Sequence, residues 1–213
     1  MLYAIAACIL IVFLAPRIRI AVENYSVKAV INKLKRQGYY VLENLTVGEV
    51  EVSYLLVSKY GVHTIKVCKF PRWHNAYLEG DEQARIWHYS LVYIGGAFRP
   101  ISPFIEGPPG LTTKTAMNNP VMEVEKAIEK LKRRIDLENR DIPFYPIVVF
   151  IPRIKAVRIH RKPDTKTQII FAKQLNDTIS QKNTVFLAGD EAMQVYNMVA
   201  NAAQSPQNTV SVA

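Results

Sequence analysis

One stretch of the chain decides the fold: residues 50–69 read VEVSYLLVSKYGVHTIKVCK. Two runs rich in β-branched and aromatic residues flank Ser58-Lys59-Tyr60-Gly61, and a glycine at the last position of such a quartet is typical of a β-turn. The pattern predicts a hairpin with strands over residues 49–57 and 62–69. Because residues two apart share a face of a strand, side chains from both strands can converge on one point.

The elements around this hairpin predict a mixed α/β domain. Residues 22–37 place apolar side chains at helical spacing and Gly38 ends the helix, while residues 39–45 are rich in β-formers. Asn119 and Pro120 are typical of an N-cap and a first helical position. The helix that they open carries an apolar stripe formed by Val121, Val124, Ile128, Leu131 and Ile135.

The rest of the chain predicts further strands and a closing helix. Residues 72–115 indicate short strands with an exposed loop at 106–110, and the apolar run 147–151 indicates a buried strand. Residues 156–159 are expected to continue the same sheet. A strand passing into a short helix is expected over 167–179, and a closing helix over 190–202.

The first twenty residues predict a membrane anchor. Residues 2–15 are fourteen apolar or weakly polar residues, fewer than the ~20 of a full span, and Arg17 and Arg19 follow them. Long basic side chains at a helix end reach back to the interface, and basic residues after the segment place the rest of the chain in the cytoplasm. The alternatives are a cleaved secretory signal, a lipoprotein signal ending at Cys8, and a buried core helix. A secretory signal is disfavoured because the basic residues of such a signal precede its apolar run, whereas in this chain they follow it.

Length and composition bound the organisation. With 213 residues and 49% apolar content, we expect an anchor over 1–21, one domain over 22–203 and a disordered tail over 204–213. The net charge of +9 favours anionic partners. Two cysteines are too few for a disulfide framework, and they do not form zinc-ligand spacings with the four histidines. The anchored domain is therefore expected at the inner or plasma membrane, as a single-pass protein.

The order of elements resembles the nuclease-related domain (NERD) family, a branch of the restriction-endonuclease-like PD-(D/E)xK fold. Residues 52–68 look without a gap like the family hairpin Ile-Asp-His-Leu-Leu-Val-Ser-x-Tyr-Gly-(apolar)-Phe-Val-Ile-Glu-x-Lys. The similarity continues through Trp87, the Asn119-Pro120 helix start and the strand at 146–150. The resemblance implies a restriction-endonuclease-like core, with a central mixed β-sheet flanked by helices.

The resemblance also implies that the catalytic set has been replaced. The family's Asp falls on Ser53, its Glu on Lys66 and its Lys on Cys68, while a Gln of the long helix falls on Glu123 and an acid of the first helix near Asn24. A hydroxyl and a neutral thiol are poor ligands for a hard cation, and an ammonium repels it. The expectation is a catalytically inactive domain, a pseudoenzyme without a metal or other cofactor, that binds nucleic acid or a protein partner at the membrane.

An active enzyme is the alternative expectation. Glu51 lies two residues before Ser53 on the same strand face, and Glu49 and Glu123 are further displaced acids. Together they would hold Mg²⁺ for a divalent-metal-dependent nuclease. The competing interpretation is that Glu49 and Glu51 are the solvated start of an edge strand. A shift of one residue would bring Lys69 onto the lysine position and Val67 onto the glutamate, which supplies no carboxylate.

Residues 153–166 show the strongest local positive bias. Such a segment can track a phosphate backbone, or face anionic lipid if the domain is tethered to a membrane. The alternative is a basic loop that follows a core strand. The residues expected to contact an anionic surface are Arg153, Lys155, Arg158, Arg161 and Lys162.

Overall fold

The computed structural model describes residue 18 and residues 21–70, 74–93, 112–135, 142–151, 156–162, 164–182, 184–187 and 190–204. The helices are α1 (residues 21–36), α2 (Pro120–Arg134), α3 (Leu175–Ser180) and α4 (Glu191–Gln204), with a 3₁₀ turn at Ala172–Gln174. The strands are β1 (Tyr40–Val47), β2 (Val50–Ser58), β3 (Gly61–Lys69), β4 (His74–Asp81), β5 (Ile86–Tyr93), β6 (Thr112–Asn118), β7 (Phe144–Ile151), β8 (Ala156–His160) and β9 (Gln168–Phe171).

The strands form two mixed sheets. The first has the order β1-β2-β3-β7-β9, in which the hairpin and β1 are antiparallel while β3, β7 and β9 run parallel. The second has the order β6-β5-β4-β8, with β4 and β8 parallel. The expected mixed α/β class is confirmed.

The strand β8 corrects one expectation. Residues 156–159 were expected in the same sheet as β7, but β8 pairs with β4 in the second sheet, where Leu78 lies opposite Val157. The physical reason is that β7 already has β3 on one edge and β9 on the other. A strand has only two hydrogen-bonding edges, so the following segment must pair elsewhere.

Helices cover both faces of the first sheet. On one face, α1 and α3 contribute Ile31, Leu34 and Leu175 to a buried cluster with Ile65 and Val149. On the other face, α2 and α4 pack on a second cluster, and a third cluster joins α2 to the second sheet. The hairpin is therefore buried from both sides, and its geometry is set by core packing.

The start of α2 shows why this helix begins where predicted. The side chain of Asn119 accepts hydrogen bonds from the backbone N–H groups of Val121 at 3.0 Å and Met122 at 3.3 Å. Its amide group donates to the carbonyls of Glu82 at 2.9 Å and Ala84 at 2.8 Å. One buried side chain thus caps the helix and ties it to the β4–β5 turn.

Several of the expected segments are not among the described residues. Nearly all of the expected anchor over 1–21, the loop at 106–110 and residues 205–213 of the tail lie beyond the described residues. Within the described ranges, no helix combines the length and apolar character needed to cross a membrane.

Candidate functional site

The two hairpin strands separate at Ser53. Strands β2 and β3 pair from Ser58 opposite Gly61 as far as Tyr54 opposite Ile65. Beyond that point the Ser53 hydroxyl oxygen accepts the backbone N–H of Val67 at 2.9 Å. A side chain has replaced a backbone carbonyl as the acceptor, so the strands diverge and leave a fork.

A deformation of β1 accompanies the fork. Asn44 has φ 52°. Strands β1 and β2 pair continuously except at one position, where Asn44 would lie opposite Ser53. On β2, Val52 and Leu55 are three residues apart yet contribute to the same buried cluster. Side chains of β2 normally alternate between the two faces of the sheet, and this alternation therefore shifts by one residue between Val52 and Leu55. Asparagine suits the site because it adopts the left-handed conformation more readily than most residues.

The fork opens into a cleft of about 270 Å³. Helix α1 forms one wall because Val27 on its inner face is anchored in the core, which positions Asn24 and Lys28 over the strands. The cleft takes its polar lining from α1, β1, β2 and β3. The polar lining residues are Asn24, Lys28, Asn44, Glu51, Ser53, Tyr54, Lys66 and Lys69.

Lys66 lies at the centre of a network of oxygens. Its Nζ is 2.9 Å from Oε2 of Glu123 and donates to the backbone carbonyl of Glu51 at 3.1 Å. The other carboxylate oxygen of Glu123 accepts from the side-chain amide of Asn118 at 3.3 Å. The side chains of Lys66 and Glu123 are 17% and 24% exposed. An internal ammonium thus holds together oxygens from β2 and α2.

Cys68 follows Lys66 by two residues on the same face of β3, and its side chain lies in the core. Its side chain is buried in the third cluster beside Phe70 and Phe150 and does not line the cleft. Burial raises the pKa of the Cys68 thiol to about 12, with Lys66 lowering it and Glu123 raising it to a lesser extent. A neutral buried thiol neither binds a hard cation nor acts as a nucleophile.

The expected fallback acids are not brought together. Glu51 is exposed and lines the cleft, but it is its backbone carbonyl that contacts Lys66. Glu49 lies in the turn between β1 and β2 and does not line the cleft. Throughout the described part of the chain, no group of three His, Cys, Asp or Glu residues is placed to hold a metal ion.

A family model described as "Nuclease-related domain" (NERD) matches residues 21–151, more than half of the chain. The chain belongs to the nuclease-related domain family. A protein of Bacillus anthracis described as uncharacterized is 23% identical over 183 residues, which cover 83% of this chain and 73% of the relative. No solved structure matches the chain.

This nuclease-related domain brings most of the implied positions into one place. Asn24, Ser53 and Lys66 line the cleft, and Glu123 joins them through its ion pair. Cys68 is the exception because its side chain faces the core. Sequence reasoning missed Asn44, and the available signal was an asparagine that interrupts a run of β-formers in β1.

The basic segment of this nuclease-related domain is partly committed to structural contacts. Arg153 and Lys155 lie outside the described residues, and Arg158 is exposed on β8. Arg161 donates to the carbonyl of Thr167, and the backbone N–H of Lys162 donates to the Glu82 carboxylate at 2.9 Å.

Lys162 also lines a second cleft of about 1090 Å³. Its other charged lining residues are Glu82, Glu125, Glu129, Lys132, Asp164, Lys166 and Lys182. Charge of both signs meets there.

Proposed function

We propose that this nuclease-related domain has lost metal-dependent cleavage and works as a binding module at a membrane surface. The observation that carries the proposal is the ammonium of Lys66, held between the Glu123 carboxylate and the Glu51 carbonyl. A catalytic Mg²⁺ needs several oxygen ligands, including carboxylates, to polarise a phosphate and lower the pKa of the attacking water. At this fork, the ammonium of Lys66 already binds the oxygens of Glu123 and Glu51 that a metal ion would need.

Nucleic acid is the partner that the charge of the chain favours. The net charge of +9 attracts a phosphate backbone, and Arg158 is exposed on a segment rich in Arg and Lys. Binding of this kind weakens as salt is added, because each neutralised phosphate releases counterions. A protein partner is the alternative for the same module.

Membrane attachment is part of the proposal, with residues 2–20 as the anchor and the domain in the cytoplasm. Two observations support it. Residues 2–15 are apolar or weakly polar, and Ile18, Val22 and Tyr25 follow at helical spacing with exposed side chains. Apolar residues and tyrosine on one exposed stripe suit the interface of a bilayer.

A second candidate function is an active nuclease that uses Glu51 and Glu123. The observation that favours it is that Glu51 lines the cleft while a Glu123 oxygen lies only 2.9 Å from Lys66 Nζ. A divalent ion would then displace Lys66 and recruit both carboxylates.

The experiment incubates the full chain, in neutral detergent, with labelled DNA and RNA in the presence of Mg²⁺ or Mn²⁺. We expect binding that weakens with salt and no cleavage. Metal-dependent cleavage that Glu51→Gln abolishes would overturn the proposal in favour of the second candidate. Glu49→Gln is the matched control, because it removes an exposed acid of the adjacent turn that lies outside the cleft.

The nucleic-acid part is tested with Lys155→Gln, which should weaken binding and reduce its salt dependence. Lys126→Gln removes the same charge from an exposed position of α2 and should leave binding unchanged. Absence of any nucleic-acid binding would contradict this part and point to a protein partner.

A further inference from the structure

The fork cleft has become basic. Lys28, Lys66 and Lys69 line it, and the acid among its lining residues is Glu51. Lys66 is partly neutralised by Glu123, but a positive excess remains even when both acids are counted. A cleft with this balance attracts anions and repels divalent cations.

The two outer lysines are held in place from different elements. Lys28 follows Val27, which is buried in the cluster under α1, and Lys69 lies between the buried residues Cys68 and Phe70. Both lysines are exposed, and neither forms a salt bridge with another residue in the part of the chain that the structure describes. Their ammonium groups are therefore available to a ligand.

Neutral donors complete the lining. Ser53 uses an oxygen lone pair to accept the Val67 N–H, so its own hydroxyl hydrogen is available to a ligand. Asn24 on α1 and Asn44 on β1 add side-chain amides. Ammonium, hydroxyl and amide donors around a small volume match the acceptor oxygens of a phosphate group.

We propose that the fork cleft binds the phosphate group of a phosphorylated ligand. The volume of about 270 Å³ is many times the ~10–15 Å³ that one water molecule needs, so the cleft has room for a phosphate group. This inference rests on the proposed function, because a divalent ion at the fork would displace Lys66 from the site.

Two sources supply the same chemistry, a lipid head group and a soluble phosphate ester. Lys28 lies seven residues after the start of the described part of α1, about 10 Å along the helix at ~1.5 Å per residue. If residues 2–20 lie in the bilayer as proposed, Lys28 is close to the level of the lipid head groups.

The test measures binding to the full chain in micelles of a neutral detergent. Sodium diphosphate is titrated calorimetrically in one arm. In the other arm the micelles are doped with phosphatidic acid or, as a reference, with phosphatidylcholine. We expect saturable binding in at least one arm: binding of diphosphate identifies a soluble ester, and binding of phosphatidic acid alone identifies a head group.

The double variant Lys28→Gln with Lys69→Gln is expected to lose about tenfold in affinity for each charge-assisted contact removed. Lys59→Gln with Lys126→Gln is the matched control, since it removes the same charge from exposed positions outside the cleft and should keep full affinity. An unchanged urea midpoint of unfolding establishes that the cleft variant is folded.

No saturable binding in either arm would overturn the inference, and so would an equal loss of affinity in both double variants. The nuclease assay keeps the two proposals separate. A protein that cleaves nucleic acid but binds diphosphate without metal overturns only the loss of cleavage. A protein that neither cleaves nor binds a phosphate overturns only the phosphate site.

Discussion

The ion pair between Lys66 and Glu123 is expected to couple the hairpin to helix α2 by about 1–2 kcal/mol. Nζ of Lys66 and Oε2 of Glu123 are 2.9 Å apart, and the two side chains are 17% and 24% exposed. Two unit charges ~4 Å apart attract by about 4 kcal/mol at an effective dielectric constant of ~20. Desolvation and the loss of side-chain entropy offset more than half of that attraction.

The assay is a double-mutant cycle in urea unfolding, with Lys66→Met, Glu123→Gln and the double variant. Lys66→Met should cost the most, about 2–3 kcal/mol, because it leaves Glu123 and the Glu51 carbonyl without their partner. The double variant should be less destabilised than the sum of the single variants, by the coupling energy.

A surface ion pair of the same chain supplies the control. Lys35 and Glu43 lie 2.8 Å apart, but their side chains are 43% and 42% exposed. Solvent screening limits such a pair to roughly 0.5 kcal/mol. If the cycle at Lys66 and Glu123 gives no more coupling than the cycle Lys35→Met with Glu43→Gln, the ammonium does not hold the fork together and the reasoning fails.

Lys66→Glu places a second carboxylate beside Glu123, so the melting temperature should fall and recover on addition of Mn²⁺, whereas Lys126→Glu should show no recovery. Burial, and then the charge of Lys182, lower the pKa of His63 to about 4, and no described residue bonds its ring nitrogens. Because an unfolded histidine binds its proton near pH ~6.5, the free energy of unfolding should decrease by up to roughly 3 kcal/mol as the pH falls from ~6.5 to ~4. Most of this dependence should vanish in His63→Leu, as measured by urea unfolding at several pH values. Asn119→Ala removes a helix cap and the two hydrogen bonds to carbonyls of the β4–β5 turn and should cost about 2–4 kcal/mol, whereas Asn119→Asp keeps the cap acceptors and should cost less.

The local elements were predictable from the sequence because their signals are local. The Asn119-Pro120 start of α2, the turn before Gly61 and the apolar run of β7 each depend on neighbouring residues, and all three are confirmed. The partner of β8 was not predictable in this way, since it depends on which strand edges the rest of the fold leaves open.

The positions of the site residues were predictable from the sequence, but the contacts between them were not. The resemblance placed Lys66 and Glu123 at separate positions and treated each as a loss. The structure joins them in one ion pair, so the two substitutions compensate each other. A reversed charge at position 66 and a gained negative charge at position 123 were the signal in the sequence. The shift of faces at Asn44 had only a weak signal, one asparagine among β-formers, because the shift depends on paired distortions in two strands.

The environment of Cys68 opposes a lysine at the family's lysine position. A lysine at position 68 would have to place its ammonium among Phe70, Val148 and Phe150, in a cluster where the present thiol is 8% exposed. An unpaired ammonium in such a place loses its proton or disrupts the packing. A carboxylate at position 66 alone could share a divalent cation with Glu123 but would still lack the lysine of the family hairpin. The hairpin therefore keeps the scaffold of its family. The charge of Lys66 repels a metal ion at the fork, and the buried thiol of Cys68 supplies no ligand for one.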